Sequence, residues 1–299
     1  MVSHLSYAFQ PLADLYFLLT DLHRRPTSAD WAPALDAIDR CLQLIADSPV
    51  GRRRADVAFH GHIAEHRTVD ELAAAAVPED GLLGLPWSRL VAHTLDALRA
   101  AEPLYRSTFL DERRAIAEGA ITDRVRPVLG PREDECLAYI HDRLEISDAG
   151  MEIPVVIAAS VPRLPFTSLS DRTGAICFVG VDGLDGTSLL ETILHEATHA
   201  VDGFDHRRAS VLERLARAVE AAFPDGRAVR DVPHSLIFVQ AAETTRRVVD
   251  PDHFHYGVTH TYYERVPSSK PVVEHWVAHL DGAFDADTAI ERIVDDLRR

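Results

Sequence analysis

Cysteine is scarce in this chain. Only Cys41, Cys136 and Cys177 occur among 299 residues, odd in number and far apart, which excludes a disulfide framework and a cysteine-built zinc cage. Long apolar runs are missing too: no stretch approaches the roughly 18 residues that span a bilayer. The N-terminal MVSHLSYAFQPLADLYFLLTDLHRR lacks the basic start, apolar centre and small-residue cleavage site of a secretory signal. With Asp14 and Asp21 flanking its apolar part, it reads as an amphipathic first helix. These absences predict a cytoplasmic protein with no membrane partner. Positive charge is also short, 31 Lys and Arg against 47 Asp and Glu, for a formal net charge of −16. That sign repels a polyphosphate backbone, so nucleic acid is not expected as a partner. The one basic run, Gly51 to Arg54, has no interleaved aromatics and reads as a solvated loop. No internal repeat and no low-complexity segment stands out.

What is present is an ordinary globular composition, 46% hydrophobic and 26% charged, over a length that suggests two domains. Residues 1–148 read as helices: WAPALDAIDRCLQLIAD, SRLVAHTLDALRAAEPLY and EDECLAYIHDRLEI all carry apolar spacing near 3.6, and the alanine-rich ELAAAAV is read as helical. The character changes at Asp148-Ala149-Gly150. EIPVVIAAS and GAICFVGVD are short β-branched runs bounded by glycine or proline, and read as strands. Helices then resume. The fold class is α+β and α-rich, with a helical N-terminal domain over 1–148 and a second domain over 149–299 that carries a small sheet.

The second domain contains TSLLETILHEATHAVDG, Thr187 to Gly203. Ser188 and Glu191 have the spacing of a capping box and Gly203 suits a C-terminal stop, so one helix carries the whole segment. Leu189, Leu190, Ile193, Leu194, Ala197, Ala200 and Val201 form its apolar stripe. His195 and His199 fall nearly opposite, facing solvent or a cleft, and Glu196 borders the same surface. Side chains at i and i+4 stand one above the other and can share a metal.

His195, Glu196 and His199 resemble the HExxH signature of the zincin metallopeptidases. The resemblance implies that the two histidines bind zinc and that Glu196 is the general base, and it extends over residues from about 151 to 280, the two strands being similar to that fold's small sheet. An edge strand of such a sheet pairs with an extended substrate.

A third ligand has several sources. Asp202 shares the histidine face but lies seven residues from His195, which suits a second-shell partner better than a ligand. Asp205 stands where the metzincin type places its last ligand, although the glycine of that pattern falls at Gly203. Glu213 and Glu220 point away from the core stripe of SVLERLARAVEAAF. Glu243 lies in HSLIFVQAAETTRRVV, a segment apolar all round and therefore buried, where a carboxylate needs a metal, a cation or a hydrogen-bond network. It is the favoured ligand, resembling the gluzincin arrangement, with an ion pair to Arg246 or Arg247 as the alternative. In gluzincin-like sites a downstream tyrosine or histidine steadies the oxyanion, which nominates Tyr256 and His255.

A reversed pattern, HIAEH at His62 to His66, has the H-x-x-E-H order of the inverzincins. Thr68 and Glu71 cap a new helix just after it, so surface histidines at a helix boundary are the preferred reading.

The expected protein is thus a zinc-dependent hydrolase acting on a peptide or other amide, with His195, His199 and Glu243 on the metal and Glu196 as base. The rival readings are a non-haem iron(II) oxygenase with a 2-His-1-carboxylate triad and a non-catalytic binding protein with a vestigial metal site.

Overall fold

A computed structural model describes residues 3–25, 28–49, 52–147, 150–161, 165–170, 174–184, 186–202, 210–224 and 231–299. They form an α-rich α+β protein that divides into two units. One comprises Ser6–Asp123 with Pro154–Gly183; the other comprises Met1–Leu5, Arg124–Ile153 and Leu184–Arg299. No helix among the described residues is long and apolar enough to cross a membrane.

Among the described residues, the first unit holds the α-helices α1 (Pro11–Leu22), α2 (Ala32–Ala46), α3 (Arg52–Ala64), α4 (Val69–Ala74), α5 (Trp87–Thr108) and α6 (Leu110–Gly119). It also holds most of a four-stranded sheet, β1 (His4–Ala8), β2 (Glu152–Ala158), β3 (Phe166–Ser170) and β4 (Gly174–Gly180), in the order β1-β2-β4-β3. β4 runs parallel to β2, with Val155 opposite Cys177, and antiparallel to β3, with Phe166 opposite Phe178. β2 and β4 are the two runs rich in β-branched and aromatic residues. β1 and β3 are short and polar, and sequence periodicity misses both.

The first helix begins at Pro11, whose fixed φ and missing N–H suit a first-turn position. It is not amphipathic: every residue from Leu12 to Thr20 is buried. Asp14 is held inside by Arg113, whose Nε and Nη2 donate at 2.6 and 3.0 Å, and by the hydroxyl of Tyr105 at 2.9 Å. Phe17, Phe166 and Phe178 pack beside it, the last two stacked at 4.7 Å.

The basic run does not form a loop either, since Arg52–Arg54 make the first turn of α3. That helix lies on β3 at close range: a Cβ on Gly61 would overlap Oγ of Ser168, and that hydroxyl donates to the carbonyl of Val57 at 3.1 Å. The predicted cap of the next helix is present, with the Thr68 hydroxyl accepting from the N–H of Glu71 at 3.1 Å. α2 packs along α5, and the thiol of Cys41 lies 3.3 Å from the Thr94 hydroxyl in their seam.

The second unit holds α7 (Glu133–Leu144), α8 (Ser188–Asp202), α9 (Val211–Ala222), α10 (Val232–Thr244), α11 (Tyr256–Thr259), α12 (Tyr262–Arg265), α13 (Ser269–Leu280) and α14 (Ala286–Leu297). α10 packs against α7, α8, α9 and α13. An all-round apolar surface is what such a central helix needs. Its one buried amide, Gln240, accepts from the indole of the fully buried Trp276 at 2.9 Å. The closing segment forms two helices, α13 and α14.

Candidate metal centre

α8 carries the HExxH residues, and the expected stripe from Leu189 to Val201 is buried. So is most of the opposite face. His195 is 6% and Glu196 3% exposed, with His199 half-buried. The pair therefore looks into protein, and the neighbour that fills the view is α10. Its first turn places His234 against both histidines: one ligand-capable nitrogen from each of His195, His199 and His234 falls within 4.8 Å of the other two. The rings of His195 and His199 are 5.0 Å apart, and each is 5.1 Å from that of His234.

The closest approach tests the fit to a metal. Nε2 of His234 is 3.3 Å from Nε2 of His195. Two imidazole nitrogens bound at about 2.05 Å to a tetrahedral ion stand about 3.3 Å apart, so this pair already has ligand spacing. Glu196 lies outside the trio, its carboxylate 4.0 Å from Nε2 of His195. Phe238, one turn beyond His234, packs on His195 at 4.2 Å and on His234 at 5.0 Å. Tyr262 stacks on the far side of that wall at 4.3 Å, its hydroxyl 3.3 Å from that of Ser235.

No family model matches the chain, and neither a curated protein nor a solved structure matches it. Geometry alone therefore carries the functional reading.

Glu243 is not brought to the histidines. It lies nine residues after His234 on the same helix, about 13 Å along the axis at about 1.5 Å per residue. Its carboxylate accepts from Arg246 at 3.0 and 2.6 Å, Arg247 at 2.7 Å and His255 at 2.8 Å. Burial alone would raise its pKa, but these three donors outweigh it and hold the carboxyl well below the usual range. The buried carboxylate has thus found cations rather than a metal, and this also occupies His255. Tyr256 is likewise engaged elsewhere: its ring stacks on His260 at 3.8 Å, and its backbone N–H donates to Glu191 at 2.7 Å.

Glu191 does not close a capping box. It is 1% exposed and also accepts from Nε2 of His253 at 2.6 Å, while Nδ1 of that ring lies 2.5 Å from the Thr187 hydroxyl. This chain ties the segment before α11 to the start of α8. Asp202 accepts from Ser210, which caps α9. Glu220 is exposed, and Glu213 pairs with Arg217. Gly203 and Asp205 lie outside the described residues.

His234 is the residue that sequence reasoning passed over. Its signal is modest but real: a lone imidazole in the first turn of an otherwise apolar, buried helix requires a polar partner, as Glu243 does.

Proposed function

We propose that the chain is a metal-dependent hydrolase that holds one zinc-class ion through His195, His199 and His234 and cleaves a peptide or related amide. The observation that carries this reading is the convergence of a third imidazole, from α10, on the HExxH pair, with a carboxylate beside the set but outside it. Three neutral imidazoles leave a fourth position for water, as in catalytic zinc sites. An ion there brings the pKa of water from about 15.7 towards about 7 and polarises a carbonyl.

In this reading Glu196 takes the proton. It is buried, and its carboxylate lies beside His195. Phe238, backed by Tyr262, packs on His195 and His234, the kind of support that keeps a site in productive geometry. An all-imidazole set favours hydrolysis over the iron(II) triad, which uses a carboxylate ligand.

The test is metal analysis of the purified protein and its His199→Ala and His234→Ala variants, followed by a peptide-library screen of zinc- and iron(II)-loaded protein with an oxygen electrode in line. One equivalent of metal lost in both variants, with amide cleavage dependent on zinc, supports the reading. Substrate turnover that consumes oxygen and requires iron(II) replaces it with the oxygenase.

A further inference from the structure

The first unit gathers a second set of metal-binding side chains. His62, Glu65 and His66 each offer a ligand atom within 4.8 Å of the other two. His62 lies in the last turn of α3, and Glu65 and His66 follow in the turn that leads to the α4 cap. The backbone holds this turn helical, with the N–H of Glu65 donating to Gly61 at 3.2 Å and that of His66 to Ile63 at 3.1 Å, so the i and i+4 imidazoles stay neighbours, edge to face, beyond the end of the helix. Their rings are 5.4 Å apart, against 5.0 Å for His195 and His199.

Three features turn this cluster from a polar corner into a site. His66 is 4% exposed, too deep for a merely solvated histidine. Nε2 of His62 is buried and meets no hydrogen-bond partner among the described residues, an arrangement that costs free energy unless something receives the lone pair. The ring is also fixed edge-on against the indole of Trp87 at 5.6 Å, so little rotamer freedom remains to be lost on binding. Burial first, and the neighbouring His66 second, lower the pKa of His62, with Glu65 opposing.

We infer that His62, Glu65 and His66 form a second site for a divalent transition ion of the zinc class, which clasps the end of α3 to the turn that opens α4. Two imidazoles and one carboxylate suit zinc, cobalt(II) or nickel(II), with water completing the shell. The neutralising carboxylate makes this the less cationic of the two centres. Its role is structural, joining the last turn of α3 to the turn before α4.

The site is tested apart from the first by working in a His199→Ala/His234→Ala background. That protein, titrated with zinc against a chromophoric chelator, is expected to keep one equivalent, to lose it on His66→Ala, and to bind at least tenfold more weakly with Glu65→Gln. Because His66 is buried and its replacement can disturb folding, a second measurement leaves the ligands intact: cobalt(II) added to the same background should quench tryptophan fluorescence, and Trp87→Phe should abolish most of that quenching. No zinc uptake in the double variant, uptake unchanged by His66→Ala, or full quenching without Trp87 would each overturn the inference.

Discussion

The two histidine clusters begin from the same spacing and are completed in different ways. On α3 all three groups fall within five consecutive residues, so forming the turn forms the set. On α8 the pair is local, but the third imidazole arrives from α10, 35 residues after His199. The first kind of site is a property of a segment, and the second is a property of packing. A packed site reports on tertiary structure: it exists only while α8 and α10 lie together, and loosening of that seam disperses it.

The strongest way to break the comparison is at the residue that makes the α8 site non-local. His234→Ala should abolish stoichiometric metal at that centre and all metal-dependent turnover, measured by elemental analysis and peptide cleavage, while leaving the α3 cluster able to bind. Glu243→Ala, on the same helix, should do the reverse, with metal retained and stability lowered. Removing one partner of a buried pair typically costs about 3–5 kcal/mol. Here the loss in urea unfolding should be nearer about 2–3 kcal/mol, because Arg246 is 36% and Arg247 22% exposed and both can turn to water.

Next in size is the chemical step. Glu196→Gln keeps shape and metal but cannot accept a proton, so kcat should fall by about 10²–10⁴-fold with metal content unchanged. Unaltered turnover would remove Glu196 from the mechanism.

A pH series sharpens the contrast between carboxylates. The folded-state pKa of Glu243 lies below its unfolded value. Its stabilisation is therefore complete above about pH 4.5 and is lost as the pH falls below that towards the folded value. Wild type should lose stability in that acid window, and Glu243→Gln should show a flatter acid limb in chemical unfolding. The smallest effect is expected from Tyr262→Phe, which removes one hydroxyl contact to Ser235 for about 0.5–1.5 kcal/mol and leaves the ring on Phe238. Metal affinity should stay within a few-fold of wild type.

Much of this was legible in the chain. The amphipathic runs of α2, α5, α7 and α9, the strands β2 and β4, the Thr68 cap and the HExxH helix follow from apolar spacing and end signals. The failures share a cause. α1 and α8 are buried on more than one face, so a stripe rule understates their burial and leaves Asp14, Glu191 and Glu196 looking solvated. Glu243 was rightly read as a buried carboxylate in need of a partner, but spacing cannot choose between a metal and the arginines at i+3 and i+4, and proximity along the helix decided for the arginines. His234 went unseen because its partners lie on another helix, and no local pattern encodes which residues of α8 and α10 come opposite each other.

The glycine of α3 acts on the same question as a mechanical stop. With Gly61 against Ser168, α3 lies closer to β3 than a residue bearing a Cβ would allow. His60, the residue before Gly61, also packs on this strand, its ring 5.1 Å from that of Phe166. The helix is thereby seated closely on the strand, while the turn at its end already holds His62 beside His66 and edge-on to Trp87. A clasp built on such a helix has its alignment supplied by the scaffold before any ion arrives.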